Sequence, residues 1–231
     1  MRGKSPVLAR LVRVSAAVLG AGLLVSGCSP VKMGAAAIVG SQRITIVTLD
    51  SEVTNLSQTA KLYPGVVQLT AAQETQDTLS WLVRFKINEQ LAQQDGITVS
   101  AAQGQQALAQ ILASVKASSS GVANISLSLI LAHAGIPPDM SAELGRFEAI
   151  ETQFVQQANG GTLPTAAAAQ TAAEAKLQHA QCTAAKTLKI EINPQYGQLN
   201  YTQFQVVPVP GTLSRAGGAA KASPPGLTPA C

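Results

Sequence analysis

The sequence predicts a mainly α-helical domain that is closed by a small β-sheet. Apolar residues recur every three or four positions along several stretches, as they do in amphipathic helices. Ser, Thr, Gly and Pro stand where these stretches begin and end, which is typical of helix boundaries. Strand-like stretches lie near Ala37 and near Ile190. We expect these early and late strands to pair, so that the sheet brings the two ends of the domain together around the helices.

The domain is predicted to begin with a hairpin and a helix. Residues 35–39 and 43–44 are short apolar stretches on either side of a Gly-Ser-Gln turn, a pattern that favours a β-hairpin. Thr45 is a suitable N-cap for the helix that follows, because its hydroxyl can accept from a free backbone amide of the first turn. The apolar stripe of this helix consists of Leu49, Val53 and Leu56.

Two longer helices are predicted next. The first spans 71–95, and Gly96 followed by Ile97 has the residue types of a Schellman C-terminus. Ser100 and Gln103 form the capping-box pattern that starts the second helix. The apolar stripes are Leu79, Leu82, Val83, Ile87 and Leu91 in the first helix, and Leu108, Ile111, Leu112 and Val115 in the second.

The second half of the domain is predicted to hold three more helices and one or two strands. A short helix covers 126–134, and the Pro-Pro pair at 137–138 opens another, since proline is tolerated in a first helical turn. An Ala- and Gln-rich helix follows over 165–186. Residues 188–192 alternate like a half-buried strand, and 201–207 form a possible second one. The stripe of the middle helix is Met140, Leu144, Phe147, Ile150 and Phe154.

The N-terminus carries the features of a bacterial lipoprotein export signal in the expected order. Four basic residues and no acidic one precede Cys28. The uncharged apolar run over 14–25 is shorter than the about 20 residues that a membrane-spanning helix needs, and it is typical of a signal-peptide core. The sequence Val-Ser-Gly-Cys at 25–28 then resembles the lipobox, whose cysteine thiol accepts a diacylglyceryl group. The alternatives are an unmodified signal peptide and a short anchor helix with a chance cysteine.

These features divide the chain into four predicted segments. Residues 1–27 form the signal peptide, which is cleaved between Gly27 and Cys28, and 28–34 form a lipidated tether. The folded domain covers 35–207, and a disordered tail rich in Pro, Gly and Ala covers 208–231. Two acyl chains are enough for stable anchoring. We therefore expect the protein on the extracytoplasmic face of the cell membrane, held there by its lipid.

The net charge of +4 belongs entirely to the export signal. Four of the 16 basic residues precede Cys28, so 12 remain in the mature chain against 12 acidic residues. A neutral mature chain lacks the basic surface that nucleic-acid binding requires. The sequence therefore predicts no nucleic-acid partner.

The sequence predicts no enzyme, no cofactor and no metal site. His133 and His179 are isolated from one another and from carboxylates along the chain, and no phosphate-binding glycine loop or nucleophile motif is present. Cys182 lies in an alanine-rich helix, where a small buried residue is the usual role. In an oxidising compartment Cys182 and Cys231 can also form a disulfide, and the sequence leaves this open.

Several pieces of the chain, in order, resemble the N-terminal domain of SurA-like chaperones, exported proteins related in fold to trigger factor. The opening strand at 36–40 is followed by an Ile-Thr-x-x-x-Leu-Asp helix entry at 44–50, and the Gly-Ile-Thr-Val-Ser junction lies at 96–100. Gly-Ile-Pro-Pro at 135–138 and Asn-Pro-Gln-Tyr-Gly at 193–197 complete the set. The resemblance spans 34–207. It implies a helical domain with a small sheet, but without the parvulin isomerase domain and its activity.

Two functions follow as hypotheses. The resemblance implies an ATP-independent chaperone or folding factor that binds unfolded exported polypeptides at apolar patches. Trp81, Met140 and Phe147 are the candidate peptide contacts. The alternative is a non-enzymatic scaffold that binds one dedicated cell-envelope protein. A solute-binding lipoprotein is disfavoured, because the chain lacks repeated βαβ units.

Overall fold

The computed structural model of the protein describes residues 33–119 and 125–209. These residues form a mainly helical body, as predicted, with two small antiparallel sheets. The strands are β1 (Ala35–Val39), β2 (Gln42–Thr45), β3 (Ile190–Ile192), β4 (Gln198–Asn200) and β5 (Gln205–Val207). The helices are α1 (Ile46–Leu62), α2 (Ala71–Gln94), α3 (Ala101–Ser118), α4 (Leu127–His133), α5 (Ser141–Ala158) and α6 (Ala167–Thr187), with a 3₁₀ turn at Pro138–Met140 before α5.

The first sheet joins the two ends of the domain. Its strand order is β2-β1-β3, and both pairings are antiparallel. In the β1–β3 pair Ala37 lies opposite Ile192, and Val39 lies opposite Ile190. Asn193 extends this contact, because its Nδ2 donates to the carbonyl oxygen of Ala35 at 3.1 Å. The predicted pairing of the early and late strands is confirmed.

The second sheet corrects a sequence prediction. Of the possible strand over 201–207, only β5 is extended, and 201–204 form a turn. The turn exists because Asn200 Oδ1 accepts from the backbone N–H of Thr202 at 2.9 Å, and because Phe204 adopts a φ of 50°. The chain therefore reverses, and β4 pairs with β5 as an antiparallel hairpin.

The helix boundaries follow local chemistry. The side chain of Ser100 accepts from the backbone N–H of Gln103, whose side chain in turn accepts from the N–H of Ser100, so the predicted capping box is present. A second capping box at Thr70 starts α2. At the end of α2, Gly96 adopts a φ of 64°, and Ile97 N–H donates to the carbonyl oxygen of Ala92 at 2.8 Å, which is the predicted Schellman bond.

Helix α2 is the central element of the core. Its stripe packs against β1, α6 and the β4–β5 hairpin in a cluster that includes Leu79, Val83 and Leu91. The opposite side of the helix is buried as well: Phe85 packs against the side chains of α4 and α5, including Leu144. Because α2 is covered on two faces, its neighbours α1, α5 and α6 are all fixed relative to it.

Helices α3 and α5 cross at a pair of glycines. A Cβ atom on Gly145 would lie 2.6 Å from the carbonyl oxygen of Gly104, so the two backbones touch without an intervening side chain. This crossing sets the position of α5, the helix that carries Phe147 and Ile150.

The predicted signal peptide, Cys28 and the residues of the tail from 210 onward lie outside the described residues. Among the helices of the described segments, none combines the length and apolar character that crossing a bilayer requires.

Candidate functional site

A groove lies where β2, the first turn of α1, α2 and α5 meet. Its cavity measures about 230 Å³. We call it the β2 groove, because two of its lining residues belong to that strand. It is lined by Arg43, Ile44, Thr48, Leu82, Phe85, Lys86, Asn88, Glu89, Glu143, Arg146, Phe147 and Ile150.

The floor of the β2 groove is apolar and firmly packed. Phe85 and Phe147 meet edge to face with their ring centroids 5.8 Å apart. Trp81 packs on both, at 5.7 Å from Phe85 and 5.8 Å from Phe147. Such aromatic pairs add stability beyond the area they bury. The floor is therefore an apolar surface formed by closely packed aromatic rings.

The mouth of the groove is charged and asymmetric. Lys86 and Glu89 form an ion pair at 3.1 Å, with both side chains partly buried. Arg43 and Arg146 are exposed, and in residues 33–119 and 125–209 no carboxylate lies within ion-pair distance of either guanidinium. Glu143 is the remaining charged lining residue. The mouth thus offers two free guanidinium groups to an acidic or carbonyl-rich ligand.

Asn88 fixes the wall that α5 contributes to the groove. Its side chain is only 1% exposed, and its Nδ2 donates to the carbonyl oxygen of Phe147 at 3.0 Å. Within the described residues its Oδ1 has no hydrogen-bond partner. A buried acceptor without a partner costs about 1–3 kcal/mol. The amide therefore stabilises the backbone position of Phe147 while its own oxygen stays unsatisfied.

Strand β2 forms an edge of the three-stranded sheet. One side pairs with β1, and no strand of the described chain pairs with the other side. Its residues Gln42 and Arg43 are exposed, whereas Ile44 is buried and faces the groove wall. An unpaired edge beside an apolar cavity is the geometry that accepts an extended polypeptide as an added strand.

The three sequence-predicted contacts occupy different environments. Phe147 lines the β2 groove. Trp81 is half-buried at the edge of the same aromatic cluster, where its Nε1 donates to the carbonyl oxygen of Ala134 at 3.3 Å. The guanidinium of Arg84 lies 4.0 Å from the centroid of the Trp81 ring. Met140 is 4% exposed and packs in the core with Leu131, so it offers no surface to a ligand.

Most lining residues of the groove were not singled out from the sequence. Phe85 and Asn88 lie on the second face of α2, because Phe85 follows Trp81 by four positions and Asn88 follows Phe85 by three. This face carries only a few apolar residues. A large aromatic side chain off the main stripe of a helix is the signal that could have identified Phe85. Ile44 and Ile150 gave no such signal, because the fold alone brings them together.

A partly buried charged cluster lies next to the groove, between α2, α5 and α6. Burial and the neighbouring Glu148 raise the pKa of Glu151 to about 7, although Gln181 Nε2 donates to its Oε1 at 2.6 Å. Burial also raises the pKa of Glu148 above its ordinary value, and burial lowers the pKa of Arg84. The cluster makes the packing of α5 sensitive to pH.

Other candidate residues lie apart from the groove. His133 and His179 are exposed on α4 and α6, respectively. In the segments that the structure describes, no group of three His, Cys, Asp or Glu side chains is arranged to hold a metal ion. Cys182 is buried in α6 and takes part in a disulfide bond.

Comparisons with protein-family models, with curated proteins and with solved structures found no match to this chain. The predicted export signal and the geometry of the β2 groove are therefore the features that bear on function.

Proposed function

We propose that this chain is an exported lipoprotein, tethered through an acylated Cys28 to the extracytoplasmic face of the cell membrane, that binds unfolded exported polypeptides without ATP. The observation that carries the proposal is the β2 groove, an apolar cavity beside an unpaired strand edge. The lipobox-like sequence at 25–28 supports the location. The ordered resemblance to SurA-like N-terminal domains supports the chaperone class.

The size of the groove favours a polypeptide over a small solute. Pockets that enclose whole small molecules measure about 300–1,000 Å³, and the β2 groove is smaller, at about 230 Å³. It suits one apolar side chain of a longer ligand. The edge of β2 would bind the backbone of that ligand, and Arg43 and Arg146 would attract its carbonyl or carboxylate groups.

A matched pair of variants tests this proposal. Thr48 and Thr54 are both exposed on α1, but only Thr48 lines the groove. Thr48→Trp is expected to fill the mouth with an indole ring, whereas Thr54→Trp adds the same ring elsewhere on the helix. The lipoprotein is assembled in nanodiscs, and light scattering follows the aggregation of an unfolded exported protein at equimolar concentration.

Wild type and Thr54→Trp are expected to slow aggregation equally, and Thr48→Trp is expected to lose most of this effect. Empty nanodiscs provide the background. The proposal is wrong if wild type behaves like empty nanodiscs, and the groove is not the binding site if the two tryptophan variants protect equally.

The second candidate function is a scaffold that binds one dedicated envelope protein. It is favoured by the fixed charges at the mouth, because two free guanidinium groups beside one small cavity select a particular ligand sequence. Crosslinking in cells separates the two functions. Many unrelated exported proteins support the chaperone, and one stoichiometric partner supports the scaffold.

A further inference from the structure

A second cavity lies between α6 and the β4–β5 hairpin. It measures about 250 Å³ and is lined by Ala175, Gln178, His179, Cys182, Tyr201, Thr202 and Phe204. We call it the α6 cavity. Its walls combine the aromatic residues of the hairpin turn with small and polar residues of α6. Neither the export signal nor the β2 groove involves it.

Cys182 lines the α6 cavity and is disulfide-bonded. The chain has three cysteines, so an intramolecular bond must join Cys182 to Cys28 or to Cys231. This step rests on the proposed function, in which the Cys28 sulfur carries a thioether-linked lipid. A thioether sulfur cannot form a disulfide. Cys231, the last residue of the chain, is then the partner.

We propose that a Cys182–Cys231 disulfide fastens the tail to α6, so that residues 227–231 lie across the mouth of the α6 cavity and the Leu227 side chain enters it. These residues are Leu-Thr-Pro-Ala-Cys, and Leu227 is the one large apolar side chain among them. Leu227 can therefore enter the aromatic-walled cavity while the polar backbone and the charged terminal carboxylate stay at its mouth in water. The tail leaves the domain after β5, the strand that follows the Phe204 turn. The chain from Val209 to Cys231 spans up to about 70 Å when extended, so its length does not limit the contact.

The bond forms by thiol–disulfide exchange with an oxidant of the disulfide class. The thiolate of one cysteine attacks the oxidant disulfide, which gives a mixed disulfide and releases one oxidant thiol. The second cysteine of this chain then displaces the other oxidant thiol. Two protein thiols are oxidised to one S–S bond, and the oxidant disulfide is reduced to two thiols by the two electrons and two protons transferred.

Peptide mapping tests the bond on the full-length lipoprotein. The protein is extracted from membranes with free thiols blocked by an alkylating agent, and trypsin digestion follows without reductant. Cleavage after Lys176, Lys186 and Lys221 gives the peptides 177–186 and 222–231. We expect these two peptides joined as one species, which separates on reduction, together with a lipidated peptide 28–32.

The outcomes separate this inference from the proposed function. Alkylated Cys182 next to a lipidated Cys28 overturns the disulfide and leaves the anchor intact. A bond between Cys182 and Cys28 overturns both. A joined 177–186 and 222–231 pair with an unlipidated Cys28 supports the disulfide and overturns the anchor.

A second measurement tests whether the tail occupies the cavity. Leu227→Asp keeps both cysteines but places a charge in the seated segment. Backbone hydrogen exchange in the hairpin 198–207 is expected to speed up by about tenfold, because the hairpin loses its cover. The distant helix α3 serves as the internal reference. Unchanged exchange in the hairpin, with the disulfide intact, overturns the seating of the tail.

Discussion

Replacing Gly145 by alanine is expected to destabilise the domain, because it separates two helices whose backbones touch. The new Cβ would lie 2.6 Å from the carbonyl oxygen of Gly104 and 3.0 Å from its carbonyl carbon. Both atoms belong to the backbone of α3, so no side chain can rotate away. The added methyl also meets Leu108 Cγ at 3.0 Å.

The magnitude follows from two opposing terms. Alanine in a helix interior is about 1 kcal/mol more favourable than glycine. Overpacking of a close contact costs about 1–3 kcal/mol, and a backbone contact of 2.6 Å belongs at the upper end. We expect a net loss of about 1–2 kcal/mol in the free energy of unfolding for Gly145→Ala.

Gly104→Ala is the matched control on the facing helix. Its Cβ would approach the backbone of Gly145 and Arg146 no closer than 3.3 Å, which a small adjustment relieves. The gain in helix propensity then offsets the packing cost, and the expected change is within about 1 kcal/mol of zero. Both variants gain the same methyl group, so propensity cancels between them.

Urea unfolding followed by circular dichroism at 222 nm measures both variants. The midpoint should fall for Gly145→Ala at an unchanged slope, because the surface exposed on unfolding stays the same. The packing argument is refuted if Gly145→Ala is as stable as wild type, or if Gly104→Ala loses as much stability.

Three further outcomes are expected. Ser80→Ala should lower the free energy of unfolding by about 1–3 kcal/mol, because Ser80 Oγ accepts from the buried N–H of Val206 at 2.8 Å. The control Ser114→Ala, on the exposed face of α3, should lower it little, and equal losses in the two variants would contradict this. Glu151→Gln should raise stability at pH 8 by at most about 3 kcal/mol and leave it unchanged at pH 4. The sign follows because native Glu151, with its pKa raised to about 7, binds its proton more tightly than the unfolded chain does, so wild-type stability falls between pH 4.5 and pH 7. Denaturant titrations of both proteins across this pH range measure the difference in their free energies of unfolding. A difference that stays constant with pH would exclude Glu151 as the cause of the fall. Cys28→Ser should release the protein from the membrane fraction or leave its signal peptide uncleaved. The intact mass of the wild type should include the lipid. Firm membrane binding of the processed variant would contradict lipid anchoring.

The helices and their ends could be predicted because their causes are local. The Ser100–Gln103 capping box and the Gly96 terminus depend on residues within one or two turns of each other. The pairing of β1 with β3 was also predictable, since each is a short strand-like stretch at one end of the domain. In these elements sequence pattern and tertiary contacts favour the same structure.

The β4–β5 hairpin and the β2 groove could not be predicted from local sequence patterns, because both depend on the tertiary fold. The β4–β5 reversal depends on one Asn200 side chain and on a positive φ at Phe204, which override the strand-like composition of 201–207. The β2 groove combines Ile44 from the first hairpin with Phe147 and Ile150 from α5. The β1–β2 pairing and the packing of α5 on α2 and α3 place these residues together. Met140 was an unsuitable candidate for a peptide contact, because its position on the apolar stripe buries it in the core.

Photo-crosslinking in cells tests polypeptide binding at the β2 groove most directly. A photoreactive phenylalanine analogue is placed at position 48, at the mouth of the groove, and at position 54 as the control on the same helix. The account predicts that position 48 crosslinks to many different exported polypeptides in the membrane fraction and that position 54 does not. Equal or absent crosslinking at the two positions would contradict it.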